Sequence, residues 1–143
     1  MKKTVLVTGN FNVLHPGHIR LLKFAKTFAK TLIVGVFSDE LAGRAVDVPE
    51  DLRHEAVASI NIVDQSFLIS SSLSDFIKSQ KPDVIVKGKE FEGQYNQEAD
   101  LIDDYGGELV FSSGEIGFSA NINLEDQLSI PPTTQWLIKS FSN

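Results

Sequence analysis

At 143 residues, with 42% hydrophobic and 22% charged residues, the chain has the make-up of one folded globular unit. A formal net charge of −6 argues against nonspecific nucleic-acid binding, and no apolar run approaches the ~18 residues of a membrane span, so neither partner is expected. Zero cysteines exclude disulfides and thiolate metal sites. Met1-Lys2-Lys3 leads into the first β run without a signal-peptide core, and a cytoplasmic setting is the expectation.

Residues 3–8 are rich in β-branched and apolar side chains and predict a buried strand. A glycine-containing turn follows, and a helix of roughly four turns is predicted to open at Pro16-Gly17, with Ile19, Leu21, Leu22, Ala25 and Phe28 at helical spacing. Residues 31–37 form the second β run, so strand, helix and strand make a parallel βαβ unit. Ser38 or Asp39 caps a short helix stopped by Gly43, and residues 44–51 form a polar loop. The next predicted helix runs from about 49 to 60, with Leu52, Ala56, Val57 and Ile60 on one face. Residues 65–69 are a third strand, and Ser70-Ser71-Ser72 caps a helix carrying Leu73, Phe76 and Ile77.

Val84-Ile85-Val86 is the fourth strand, residues 87–93 a loop, and 96–105 a helix ending at Gly106-Gly107, where positive φ is available. Residues 108–111 are the fifth strand. A glycine- and serine-rich loop at 112–119 precedes a further helix near Ser119-Ala120-Asn121. Five β runs alternating with helices predict an α/β, Rossmann-like three-layer sandwich with a five-stranded parallel sheet, assigned to residues 1–127. Residues 128–143 break the pattern with Pro131-Pro132 and carry a short apolar helix with Trp136, Leu137 and Phe141. They are expected to form a tail or linker that packs on the sheet or meets a second subunit or domain.

The chemistry concentrates at the first turn. Open N–H groups and the positive end of the first helix dipole make an anion site, and His15 and His18 stand at its mouth three positions apart. Arg20 and Lys23 add local positive charge to an acidic chain.

Gly9-x-Phe11-Asn12-x-x-His15-x-Gly17-His18 resembles the HxGH signature of the nucleotidyltransferase superfamily, usually written GxFDxxHxGH. The resemblance is nearest to the adenylyltransferase domain of ADP-heptose synthase and its cytidylyltransferase relatives, and covers residues 4 to about 124. It also rests on Val34-Gly35-Val36-Phe37-Ser38-Asp39, Val48-Pro49-Glu50-Asp51-Leu52-Arg53, Lys81-Pro82-Asp83-Val84-Ile85-Val86-Lys87-Gly88 and Gly106-Gly107-Glu108-Leu109-Val110. It implies transfer of AMP or CMP from ATP or CTP to a sugar or polyol phosphate, with release of pyrophosphate, as in sugar-nucleotide synthesis for surface polysaccharide. The nucleotide would lie across the carboxyl ends of strands one and four, in agreement with the switch-point rule for open parallel sheets.

On that resemblance His15 and His18 are catalytic, donating to triphosphate oxygens, while Gly9, Asn10, Phe11, Asn12, Gly17, Lys87, Gly88, Ser119 and Asn121 bind the nucleotide. Asp39 and Arg53 are assigned to the acceptor substrate; the plainer role for Arg53 is a surface ion pair with Asp51 or Glu55. Mg²⁺ is expected to be held mainly by the triphosphate, because no Asp/Glu cluster marks a metal cage. A homodimer or a fused sugar-kinase domain is the association that the resemblance implies. Three features depart from the family pattern. Asn12 stands for Asp, and Ala120-Asn121 for two threonines. The lysine that reaches the α-phosphate has no match, leaving Arg44 for that catalytic role. The rival expectation is a catalytically degenerate module that only binds nucleotide or sugar phosphate. A redox dinucleotide domain is excluded because no G-x-G-x-x-G follows the first strand.

Overall fold

The computed structural model describes residues 2–112. Their order is β1 (Lys2–Gly9), α1 (Pro16–Lys26), β2 (Ala29–Phe37), α2 (Asp39–Ala42), α3 (Glu50–Ala58), β3 (Gln65–Ile69), α4 (Leu73–Gln80), β4 (Val84–Gly88), α5 (Gln97–Asp103) and β5 (Glu108–Ser112). Single 3-10 turns at Gly43–Ala45 and Lys89–Phe91 follow α2 and β4. The strands form one parallel sheet in the order β3-β2-β1-β4-β5. From β1 the chain first builds outward through β2 and β3, then crosses to β4 and β5 on the other side. The switch point therefore lies between β1 and β4.

Successive strand side chains point to opposite faces, so an uninterrupted apolar strand feeds two cores. Val5 and Val7 of β1 pack with Leu22 and Ala25 of α1 and Val57 of α3. Leu6, between them in sequence, packs on the other face with Ile77 of α4 and Ile102 of α5. The result is the predicted Rossmann-like three-layer α/β sandwich. The second division of the chain, at 127/128, lies outside the described residues, as do the loop and helix expected after residue 112 and the tail helix.

Three local expectations change. α1 is 11 residues long, about three turns rather than four. Thr27 closes it by bonding its hydroxyl to Phe24 O at 2.6 Å, and β2 starts already at Ala29, which pairs with Lys2. The buried face of α3 is Arg53 and Val57, whereas Leu52 is 51% exposed and Ala56 is also exposed. The apolar pattern misplaces this face because the arginine goes inward. At the end of α5, Gly106 has φ 82, as the sequence predicts, and Gly107 serves a different purpose. Its N–H donates to Ile102 O at 2.8 Å, and a Cβ there would lie 2.0 Å from Ile102 Cγ1.

Gly107→Ala is therefore expected to cost about 1–3 kcal/mol in urea denaturation. Gly93→Ala, where a Cβ meets nothing within 4 Å, should change stability by no more than about 0.5 kcal/mol.

Candidate functional site

β1 stops at Gly9, and the chain turns through Phe11 at φ 50, a left-handed conformation uncommon for a residue with a side chain. Burial of the Phe11 ring, 4% exposed, holds the turn. A Cβ on Gly9 would sit 3.2 Å from that ring, so the small residue lets the ring fold back over the strand end. His15 is extended (φ −141) and caps α1, with Pro16 at the first helical position.

The two histidines form a reciprocal cap. His15 Nδ1 accepts from the Gly17 N–H at 3.0 Å, and His18 Nδ1 accepts from the His15 N–H at 3.3 Å. Their rings stack with centroids 4.0 Å apart, and Phe11 lies 5.3 Å from the His18 ring. Because each Nδ1 accepts a backbone proton, the neutral rings carry their own proton on Nε2. Burial, and secondly the electrostatic influence of the neighbouring His15, push the His18 pKa down to about 4, so at neutral pH it is an uncharged N–H donor. The expectation of open helix N–H groups needs correction. The Gly17 N–H is taken by His15 Nδ1 and the His18 N–H by His15 O at 2.9 Å, so the histidine rings and the helix dipole present this end to a ligand.

A second group of bonds braces this loop. Asn12 Oδ1 accepts the N–H groups of Asp47 and Val48 at 2.7 and 3.0 Å. Arg53 is 1% exposed. Its Nε donates to Val48 O, one terminal nitrogen to both Asn10 O and Phe37 O, and the other to Asp39 Oδ1, all at 2.7–2.8 Å. The expected surface pair with Asp51 or Glu55 is thus replaced by a buried clamp. A direct substrate contact by Arg53 is corrected for the same reason: its guanidinium is enclosed by the chain's own oxygens. Asp39, with its side chain 51% exposed, is the solvent-side partner of that clamp.

A cavity of about 770 Å³ opens over the carboxyl ends of β1 and β4. Thr8, Gly9, Asn10, Phe11 and His18 line one side of it, and Lys87, Gly88, Glu90, Phe91 and residues 94–98 the other. Lys87 is the last residue but one of β4, inside the strand rather than in a following loop. Its ammonium pairs with Glu98 at 2.8 Å, donates to Asn96 Oδ1 at 2.7 Å and lies 4.5 Å from the Phe91 ring centroid.

Of the sequence-derived candidates, the cavity brings together Gly9, Asn10, Phe11, His18, Lys87 and Gly88. His15, Asn12 and Gly17 belong to the adjoining loop and helix start, and Arg44 is exposed in the turn after α2 without lining the cavity. Ser119 and Asn121 lie outside the described residues. Asn96 and Glu98 are additions that the sequence reading missed; the one signal for them was a lysine ending a central strand, which needs a partner near the sheet edge. Among the described residues no group of three or more His, Asp or Glu side chains is arranged to hold a metal, and no helix is long and apolar enough to cross a membrane.

Comparison with known proteins places this geometry. The model of the family described as cytidylyltransferase-like matches residues 6–106. The "Bifunctional protein HldE" of Sulfurimonas denitrificans is 38% identical over 117 residues, covering 71% of this chain but only 24% of that protein's length. The "FAD synthase" of Methanococcoides burtonii is 35% identical over 121 residues, covering 82% of this chain and 77% of that protein. Among solved structures, the lipopolysaccharide core biosynthesis protein of Thermoplasma volcanium superposes with a TM-score of 0.67 at 29% identity, covering 78% of this chain and 98% of that one.

Two outcomes follow from the geometry. Arg53→Met leaves three backbone carbonyls and Asp39 without their donor, and should lower stability by about 3–5 kcal/mol in urea denaturation. For His18, the unfolded imidazole takes up a proton below its ordinary 6.5, whereas the folded one resists protonation down to about 4. The unfolded state binds more protons in that window, so the contribution of His18 is complete above 6.5 and lost as pH falls towards 4. Denaturation midpoints should rise with pH across this range more steeply in the wild type than in His18→Gln.

Proposed function

The chain belongs to the cytidylyltransferase-like family and is a nucleotidyltransferase, and within that chemistry we propose that it transfers AMP or CMP from ATP or CTP to a sugar or polyol phosphate. The observation that carries the reading is the pair of histidines locked through Nδ1, with Nε2–H as donor, at the start of α1 beside a cavity at the β1/β4 switch point. In this reaction an acceptor phosphate oxygen forms a bond to the α-phosphorus while the bond to the bridging oxygen of pyrophosphate breaks. The protein's task is to align the three groups and stabilise charge on the phosphoryl oxygens. Neutral His18 donates a hydrogen bond to those oxygens without giving up a proton, and the positive end of the α1 dipole adds to it. The described residues supply no metal cage, so Mg²⁺ would enter bound to the triphosphate, where it offsets phosphate charge.

The phosphorylated sugar is supported by the resemblance to ADP-heptose synthase and by the solved relative named for lipopolysaccharide core biosynthesis. A cytoplasmic enzyme serving surface polysaccharide synthesis is the setting that fits such a substrate. The bifunctional relative is about three times as long as this chain, since 71% of this chain matches 24% of it, so a partner kinase, fused or separate, belongs to the same proposal. A second acceptor class, a flavin phosphate, is favoured by the FAD synthase relative, of which the chain covers 77%, and by the exposed Phe91 and Tyr95 rings lining the cavity. The degenerate-module alternative loses one of its supports. Asn12 accepts two backbone N–H bonds through Oδ1, a task either Asn or Asp performs, so its replacement of Asp leaves the loop intact.

Pyrophosphate release with Mg²⁺, ATP or CTP, and a panel of sugar phosphates, polyol phosphates and FMN is the deciding assay. Release that needs one nucleotide and one acceptor is expected, with a loss of about 10²-fold or more in His18→Ala. Nucleotide binding without release on any acceptor would replace the transferase by the binding module.

A further inference from the structure

Lys87 is a cation in the cavity wall, yet its charge is already spent inside the chain. Glu98, 4% exposed, pairs with the ammonium, and Asn96, 8% exposed, accepts an N–H hydrogen bond from it through Oδ1. The Asn96 amide is in turn committed, donating from Nδ2 to Phe91 O at 2.9 Å and Gln94 O at 3.0 Å. Lys87, Asn96 and Glu98 thus tie the end of β4 to the start of α5 and pin the intervening segment from both sides. That segment contributes Glu90, Phe91, Gln94 and Tyr95 to the cavity. A polar cluster this buried is stable only when every member is satisfied, and no buried side-chain nitrogen or oxygen among the described residues lacks a partner.

We infer that Glu98 and Asn96 are positioning residues for the nucleoside end of the nucleotide, acting through Lys87 and the segment they pin. In this arrangement Lys87 is a structural cation, and its charge does not reach the phosphates. The inference rests on the nucleotidyltransferase reading and adds to it how the nucleoside is recognised: by amide and aromatic groups of a braced loop rather than by a lysine.

The test is a comparison of affinities in the full-length chain for a nucleoside and its triphosphate, adenosine with ATP and cytidine with CTP. It uses wild type, Glu98→Gln and Asn96→Ala, with Glu98→Gln as the conservative variant least able to prevent folding. Circular dichroism and thermal midpoints are recorded alongside. The variants should weaken nucleoside and triphosphate by the same factor, about tenfold for Asn96→Ala and less for Glu98→Gln, with the ratio of the two affinities unchanged. Lys87→Met should do likewise. A Lys87→Met protein that loses far more affinity for the triphosphate than for the nucleoside would make Lys87 a phosphate ligand and overturn the inference. So would variants with lowered thermal midpoints but unchanged affinities, which would make the cluster merely structural. A wild-type chain that binds neither nucleoside nor triphosphate overturns the transferase reading itself, an outcome distinct from both.

Discussion

One buried guanidinium holds the carboxyl edge of the sheet together. Where β1 and β2 end, their backbone groups run out of ladder partners, and the loops that follow need other bonds to keep a shape. Arg53 supplies these to Asn10 O, Phe37 O and Val48 O and ties in the Asp39 carboxylate. Burying a guanidinium is costly unless its N–H groups are satisfied, and here four hydrogen bonds radiate from one planar fork into three segments, at Asn10, Phe37 to Asp39, and Val48. A lysine, with one compact ammonium, could not span them. Asn12 extends the brace by accepting from Asp47 and Val48, so the irregular segments around the cavity are bonded almost as thoroughly as the strands beneath.

The same economy governs the start of α1. His15 and His18 are placed by bonds they make to the helix itself, and those bonds require unprotonated Nδ1 atoms. The cap consumes the backbone donors of the first turn and returns donors on the imidazole rings, farther from the helix axis. His18, which both caps the helix and lines the cavity, ties the stability of the helix start to the shape of the cavity wall. The stacked rings and the buried Phe11 edge also explain why His18 resists a proton: the charge would be held out of water, against a neighbouring imidazole.

The alternation of β runs and helices was legible because a doubly covered parallel sheet needs apolar strands throughout, as residues 4–7, 32–36 and 84–86 display. The first turn was legible too, since a glycine, a proline and two histidines between a strand and a helix leave few other readings. The inward face of α3 was not. Periodicity counts apolar residues, and it put Leu52 where Arg53 belongs, because the merit of Arg53 depends on acceptors 5 to 43 residues away. Asn96 and Glu98 escaped for the same reason: each is an ordinary polar residue of a helix start until Lys87 is brought beside it by the fold. Sequence patterns report what a segment does with its own neighbours, and these three side chains are defined by what other segments do.

The electrostatics then form one scheme. The chain as a whole is acidic, and the lysine in the cavity wall is neutralised by Glu98, while His18 is uncharged at neutral pH. Within the described residues, what this cavity offers a ligand is therefore aimed hydrogen-bond donors and a helix dipole rather than net charge. Directional donors in a partly enclosed, low-dielectric cleft are strengthened by that enclosure, and they reward only a ligand whose oxygens fall in place. A cavity dense in free lysine would bind any polyanion, nucleic acid included. Spending the charge of Lys87 on shape gives up that general attraction. What remains is a preformed cleft whose two walls, one set by Arg53 and the other by Lys87, meet at the junction of β1 and β4.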